Sequence, residues 1–228
     1  MPSQPSINRG TLILLAPNAT DASISSKNVF FVFQYNPEKL IHTFNQALSS
    51  GLGANTADQQ GPPTELFNLI FELDSVDIDQ PSQNQSAADL GLHPALAMLE
   101  LMMQPQVAGK QTSMPIIVFK WGAKRSVAVR FVSMSIEEKS FDVTLNPTRA
   151  TVSLTLKVLD ATEINNNPGA SNVCLSHQNT RATLVDAYKL QTGQASLMGV
   201  SDKSGISGSA PSSVAVALGV QTKTKKSA

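Results

Sequence analysis

Cysteine is nearly absent. Cys174 is the only one among 228 residues, which excludes an intramolecular disulfide and any cysteine-built zinc site and suits a reducing compartment. Net charge is absent as well: lysine plus arginine and aspartate plus glutamate number 17 each, and charged residues make up 15% of the chain. There is therefore no basic excess of the kind that broad nucleic-acid binding needs. No stretch approaches the run of about 18 apolar residues that a membrane-spanning helix needs, so no direct membrane insertion is expected. The polar start Met1–Gly10 lacks the basic residues and apolar run of a secretory signal. These features place the protein in the cytoplasm unless a larger assembly carries it elsewhere. Free monomers usually keep their net charge away from zero, so a neutral, weakly charged surface fits a subunit covered by neighbours as well as an ordinary neutral domain.

Signals for chemistry are also missing. The three histidines, His42, His93 and His177, stand far apart with no metal-ligand spacing. Cys174 and His177 are three residues apart in a turn-rich segment, where an idle thiol is a better account than a nucleophile pair. Asp74, Asp77 and Asp79 lack the glycine and terminal glutamate of a calcium loop. Gly51 and Gly53 lack the remaining elements of a phosphate loop. No catalytic residue, cofactor or metal is assigned.

What the chain does have is alternation. From Thr148 to Leu159, Ala150, Val152, Leu154, Leu156 and Val158 are apolar, and Arg149, Thr151, Ser153, Thr155 and Lys157 between them are polar. Strand side chains alternate faces, so this predicts a long strand with one wet face and one buried face. Thr64 to Asp74 repeats the pattern, with Phe67, Leu69, Phe71 and Leu73 opposite Asn68, Ile70 and Glu72. Further strands are expected over Thr11–Ala16, Asn28–Tyr35, Lys39–Phe44, Pro115–Trp121, Arg125–Glu138 and Lys139–Asn146. The Asn28–Tyr35 and Lys39–Phe44 strands read as a hairpin turning at Asn36-Pro37-Glu38. Lys139–Asn146 is expected to pair with the strand before it.

One helix is predicted to start at His93-Pro94, where proline fits the first turn. Leu96, Leu99 and Met103 lie on one face with Met98 and Met102 adjoining, and Pro105 stops it. This methionine-rich stripe reads as core packing. Asn165–Gly169 reads as a domain-ending turn cluster. A second helix is expected over Thr180–Gln191, with Leu184, Ala187 and Tyr188 on a face and Gly193 as its stop. Two long loops, Ala47–Pro63 and Asp74–Ser86, offer contact surfaces. The Ser-, Gly- and Ala-rich end, closing on Lys223, Lys225 and Lys226, has the composition of a tail without structure of its own. Trp121 before Gly122 is a core anchor or an interface aromatic.

Three pieces fall in a recognisable order: Phe33-Gln34-Tyr35-Asn36-Pro37-Glu38, the strand from Glu65 to Asp74, and Val118-Phe119-Lys120-Trp121-Gly122. Together with the two strands that follow, over Arg130–Glu138 and Thr148–Asp160, they resemble the tube-like domain of contractile injection system baseplate proteins across residues 10–162. The resemblance implies a mainly β (α+β) fold: an antiparallel tail-tube-like β-barrel with one inserted helix over residues 1–164, then a C-terminal helix and extended partner-binding tail over residues 165–228. It implies a structural hub or adaptor rather than an enzyme. Such a subunit forms a six-fold or three-fold homo-oligomeric ring and contacts inner tube, spike and baseplate wedge proteins. Asn36-Pro37 would be the first hairpin turn and Trp121-Gly122 would close the strand after the helix; Tyr188, Lys225 and Lys226 complete the interaction candidates. Many relatives end in a LysM module. No Tyr-x-Val-x-x-Gly-Asp signature occurs between Pro168 and Ala228, which removes the ground for glycan binding. The other readings are the inner tube protein itself and a free-standing ligand-binding β-barrel or small hydrolase.

Overall fold

The computed structural model describes residues 8–17, 19–21, 28–46, 63–77, 90–108, 111–164 and 167–192. Among these residues nine strands and two α-helices form: β1 (Thr11–Leu14), β2 (Val29–Val32), β3 (Leu40–Asn45), β4 (Thr64–Asp74), α1 (His93–Leu101), β5 (Gln106–Ala108), β6 (Gln111–Ser113), β7 (Ile117–Trp121), β8 (Arg125–Phe141), β9 (Pro147–Val158) and α2 (Pro168–Gln191). Seven strands make one antiparallel sheet in the order β2-β1-β7-β8-β9-β4-β3, and β5 and β6 form a small separate hairpin. The expected α+β, mainly antiparallel architecture is what the chain adopts.

The alternating segments behave as strand geometry requires. In β9, Ala150, Val152, Leu154 and Leu156 are buried, and in β4 so are Phe67, Leu69, Phe71 and Leu73. The register sets Phe67 opposite Leu156, Phe71 opposite Val152 and Leu73 opposite Ala150, so both apolar sets line one face. β8 adds Val127, Val129 and Phe131 to the same interior. A bulge between Phe131 and Ser133 lets Met134 and Ile136 continue that face beyond it. Helix α1 caps this core with Leu96, Leu99 and the adjoining Met102, so the methionine stripe is packing.

The sheet is curled into a barrel. Phe31 of β2 and Phe71 of β4 stand five places apart in the strand order, which in a flat sheet is about 24 Å. Their ring centroids are nevertheless 5.9 Å apart, and Phe33 lies 4.8 Å from Phe71. Gln34 completes the closure: its amide nitrogen donates to the Asp74 carbonyl at 2.7 Å and its oxygen accepts the Asp74 N–H at 2.9 Å. This topology corrects the expected β2–β3 hairpin. β2 pairs with β1 and β3 with β4, at opposite edges of the sheet. The segment through Asn36-Pro37 spans the barrel seam; its apolar run and Asn-Pro break match a hairpin locally, but nothing local records which strand each flank pairs with.

Two further boundaries differ from expectation. Lys139–Asn146 is not a separate strand: β8 runs on to Phe141, residues 142–146 form a tight turn, and the partner of β8 is β9. Helix α2 begins at Pro168, not Thr180. Asn167 caps it, its side-chain oxygen accepting the Ala170 N–H at 3.0 Å, with Pro168 in the first turn. The same Asn167 amide reaches back to the carbonyls of Ala16 and Pro17. Gly169 lies so close to the 19–21 segment that a Cβ there would sit 3.0 Å from the carbonyl oxygens of Ala19 and Asp21. Ala170 and Val173 join Ile13, Leu15, Val118 and Ala128 in a second core outside the barrel, so β1 and β7 are buried on both faces.

The chain divides into compact units Met1–Cys174 and Leu175–Ala228. Most of the Ala47–Pro63 loop, the Gln80–Ser86 stretch, and the tail with Lys225 and Lys226 lie outside the described residues.

Candidate functional site

The barrel leaves two strand edges without a partner among the described residues. β2 is bonded on one side only, to β1, and β3 only to β4. Such edges carry unpaired N–H and C=O groups and are templates for another chain. Both are flanked by apolar side chains turned away from the barrel core: Phe30 and Val32 on β2 are 43% and 39% exposed, and Ile41 on β3 is 45% exposed. Neither edge carries the lysine or proline that usually blunts such strands.

β3 covers β4 only from Thr64 to Leu69. From Ile70 onward no strand among the described residues lies beside that side of β4, and an open groove of about 810 Å³ lies there. The 35–39 segment forms one wall, with Ile41, Ile70, Ser153 and Thr155 among the other lining residues. The outer face of β4, β9 and β8 is otherwise rich in hydroxyl and amide groups, including Asn68, Thr151, Ser153, Thr155, Ser133 and Ser135. Ile70, 62% exposed, is an apolar position on this face, and Val132 at the β8 bulge is 54% exposed. At the rim Arg149 donates to Asp74 at 2.7 Å, and the Val76 N–H together with Arg149 holds the Asp74 carboxyl below its ordinary value against the opposing effect of burial.

On the inner side of β3, His42 Nε2 lies 2.7 Å from Glu65 Oε1, whose side chain is 9% exposed. The imidazole stacks on Phe67 at 4.2 Å, and the Arg125 guanidinium carbon lies 5.4 Å from the centroid of the same ring. This cluster ties the edge strand to β4 and β8 through side chains.

The β8–β9 turn carries the second concentration of exposed apolar groups: Phe141, Val143 and Leu145 are 52%, 102% and 77% exposed. One carboxylate organises the turn. Asp142 accepts the Thr144 N–H and hydroxyl at 2.8 Å, the Asn146 N–H at 2.9 Å and the Asn146 amide nitrogen at 2.9 Å. With the Asn146 side chain contributing most, these bonds lower the Asp142 pKa to about 2. Ser140 and Leu145 have φ of 50° and 67°, conformations that non-glycine residues hold only when their surroundings impose them.

The residues singled out from sequence are placed as follows. The Asn36 side chain accepts the Gly10 N–H at 2.8 Å and donates to the Asn8 carbonyl at 2.9 Å, so it pins the start of β1 across the seam. Pro37 is buried and lines the groove. Trp121 ends β7 partly buried, 5.8 Å from Phe119 and 6.1 Å from Phe33. Gly122 turns the chain with φ of 67°. Tyr188, on α2, is 59% exposed. The first four gather around the seam and the strand end beside it. The Phe141–Leu145 turn and the groove were missed by sequence reasoning. A signal for the turn existed, since apolar residues alternate through Phe141, Val143 and Leu145 around an Asp-x-Thr-x-Asn pattern.

Comparison with curated proteins returns no match. The family model described as contractile injection system tube protein matches residues 11–167, from the first residue of β1 to the Asn167 cap of α2. That span contains the whole barrel and more than half of the chain, and the protein therefore belongs to the contractile injection system tube protein family.

Proposed function

We propose that this chain is a non-enzymatic hub or adaptor subunit of a contractile injection system, a barrel ring at one end of the inner tube that joins it to spike and surrounding baseplate. In this reading residues 1–164 are the tube-like module and residues 165–228 bind a partner. The observation that carries it is the chain beyond the matched segment. After Asn167 come a 24-residue helix and a further stretch from Thr192 to Ala228. The helix exposes Leu184, Val185 and Tyr188, an apolar group at helical spacing. A tube built only of repeating rings needs the barrel and its edges, not this addition. Ring formation is supported by two apolar-flanked edges, at opposite ends of the strand order, that are unpaired among the described residues.

The repeating tube subunit is the second reading. It is favoured by the family match itself, which covers the barrel and stops at α2. Copy number separates the two. Quantitative mass spectrometry of purified particles, referenced to the sheath subunit, should give three or six copies per particle for the adaptor. Copies equal to the sheath would make the chain the tube subunit, and absence from particles would overturn both.

A further inference from the structure

Two cations stand opposite one another on the outside of the barrel. Val129 and Phe131 face the interior, so Arg130 between them faces outward. The β8–β9 register pairs it with Lys157, and like charges in facing strand positions repel. Lys157 is compensated, its Nζ lying 2.6 Å from Glu163 Oε1. The neighbouring Asp160 carboxylate is engaged as well: it accepts the Thr162 hydroxyl at 2.6 Å and the N–H groups of Thr162 and Glu163 at 2.8 Å and 3.0 Å. Arg130 has no such partner. Its Nε is buried without a hydrogen bond, and no ion pair holds the guanidinium among the described residues. Partial burial of an uncompensated charge costs the fold free energy, so the reason for an arginine here lies outside the folding of the free chain.

The strand is irregular just where this charge stands. Pairing runs Arg130 with Lys157, Phe131 with Leu156, then Ser133 with Thr155, which leaves Val132 as the extra residue of the bulge, 54% exposed. Bulges re-aim side chains and are frequent beside functional sites. This one sets an exposed aliphatic group next to the uncompensated cation. Two residues earlier, Ala128 belongs to the second core, to which Ala170 and Val173 at the start of α2 also belong. Arg130 therefore borders the place where the chain beyond the matched segment is anchored to the barrel. The remainder of that chain is a poor source of the missing negative charge, since residues 193–228 carry Lys203, Lys223, Lys225 and Lys226 against Asp202.

We propose that Arg130 is the docking point for a carboxylate side chain of a different protein of the particle, with an adjoining apolar group of that protein packed on Val132. The inference rests on the adaptor reading and names the chemistry by which the partner is recognised: an acidic residue beside an apolar one. Arginine suits this part, because its planar fork binds a carboxylate through two charge-assisted hydrogen bonds.

The test uses Arg130→Lys, which keeps the cation and supplies an amine that a water-soluble carbodiimide joins to a touching carboxylate as an amide, the reagent taking up the water released. Particles in which this variant is co-expressed with the native chain are treated and the products mapped by mass spectrometry. The Lys157–Glu163 link within the chain is the internal control. The expected product joins position 130 to an aspartate or glutamate of a different protein. The control link without one at 130, or a link from 130 within the chain or to a second copy, overturns the proposal and leaves the adaptor reading standing. Absence of the native chain from particles removes the adaptor reading and the proposal with it. The purified full chain gives a second readout. Arg130→Met should melt no lower than the native chain, because it removes an uncompensated charge and keeps the packing. Its recovery in particles should fall at least about tenfold, as when one partner of a buried charge pair is truncated. A lower melting temperature would make Arg130 a structural residue and overturn the proposal, as would undiminished recovery.

Discussion

Single side chains hold this barrel together where the main chain does not. At the seam, Gln34 takes the place of a paired strand for Asp74, and Asn36 ties Gly10 across the gap. Gly10 is required there, because a Cβ would lie 2.6 Å from the Trp121 ring and 2.7 Å from Phe33. Asp142 plays the same organising part in the β8–β9 turn, and its chemistry can be read directly. Four donors from two residues stabilise the charged carboxylate, which lowers its pKa to about 2. A carboxyl whose folded value is depressed stabilises the fold above its unfolded value near 3.8 and loses that contribution as pH falls through the folded value. The turn should therefore stay ordered down to pH 4 and loosen between pH 4 and about 2. Carbon-detected NMR of the Asp142 carboxyl should give a midpoint near 2, with the Thr144 and Asn146 amide shifts moving in step. A midpoint at the ordinary value would show that the donors do not hold the carboxylate. In Asp142→Asn the amide shifts should lose their dependence over that range.

At the scale of elements, the exposed group on α2 is distinct from the barrel core in what its removal should do. Leu184, Val185 and Tyr188 are 48%, 53% and 59% exposed, so replacing all three by alanine should change barrel stability little, within about 0.5 kcal/mol per site. Incorporation into particles should fall sharply if this face meets a partner. Circular dichroism melting together with quantitative recovery in particles measures both. Normal recovery would detach α2 from the adaptor role, and a melting loss comparable to a core deletion would show that the face is structural. β4 and β9 were legible in the sequence almost to the residue, because one buried and one wet face imposes a period of two. Helix α1 was legible from Pro94 and the spacing of Leu96 and Leu99. What escaped was non-local or ambiguous. Whether the flanks of Asn36-Pro37 pair with each other depends on strands arriving from elsewhere in the chain. Asn167-Pro168 reads equally as a breaker or as an N-cap followed by proline at the first turn, and only the packing of Gly169 and Ala170 against the 19–21 segment decides for the helix. The groove was invisible because it exists where β3 stops short of β4, a difference in strand length and not a motif.

For the whole molecule, the balance of 17 basic and 17 acidic residues bears on how copies would come together in the proposed ring. A subunit with net charge repels its neighbours at long range, and its assembly responds to salt as that repulsion or a compensating attraction is screened. Here there is no net charge to screen. Exposed groups on the described barrel, among them Phe30 and Val32 on β2, Ile41 on β3, and Val143 and Leu145 on the turn, are apolar. The rim pair of Arg149 with Asp74 is exposed on its arginine side, and exposed ion pairs contribute about 0–1 kcal/mol and are weakened by salt. Assembly driven by these apolar anchors should therefore survive a rise from about 0.1 M to about 1 M sodium chloride, over which the screening length shrinks from about 10 Å to about 3 Å. It should be strengthened by sulfate, which favours the burial of apolar surface. Sedimentation velocity of the assembled species across that range gives the answer. A fraction that holds or grows with salt assigns the contacts to the apolar edges and turn. Dissociation at high salt would assign them instead to charged side chains, and the apolar edges and turn would then not be what holds the proposed ring together.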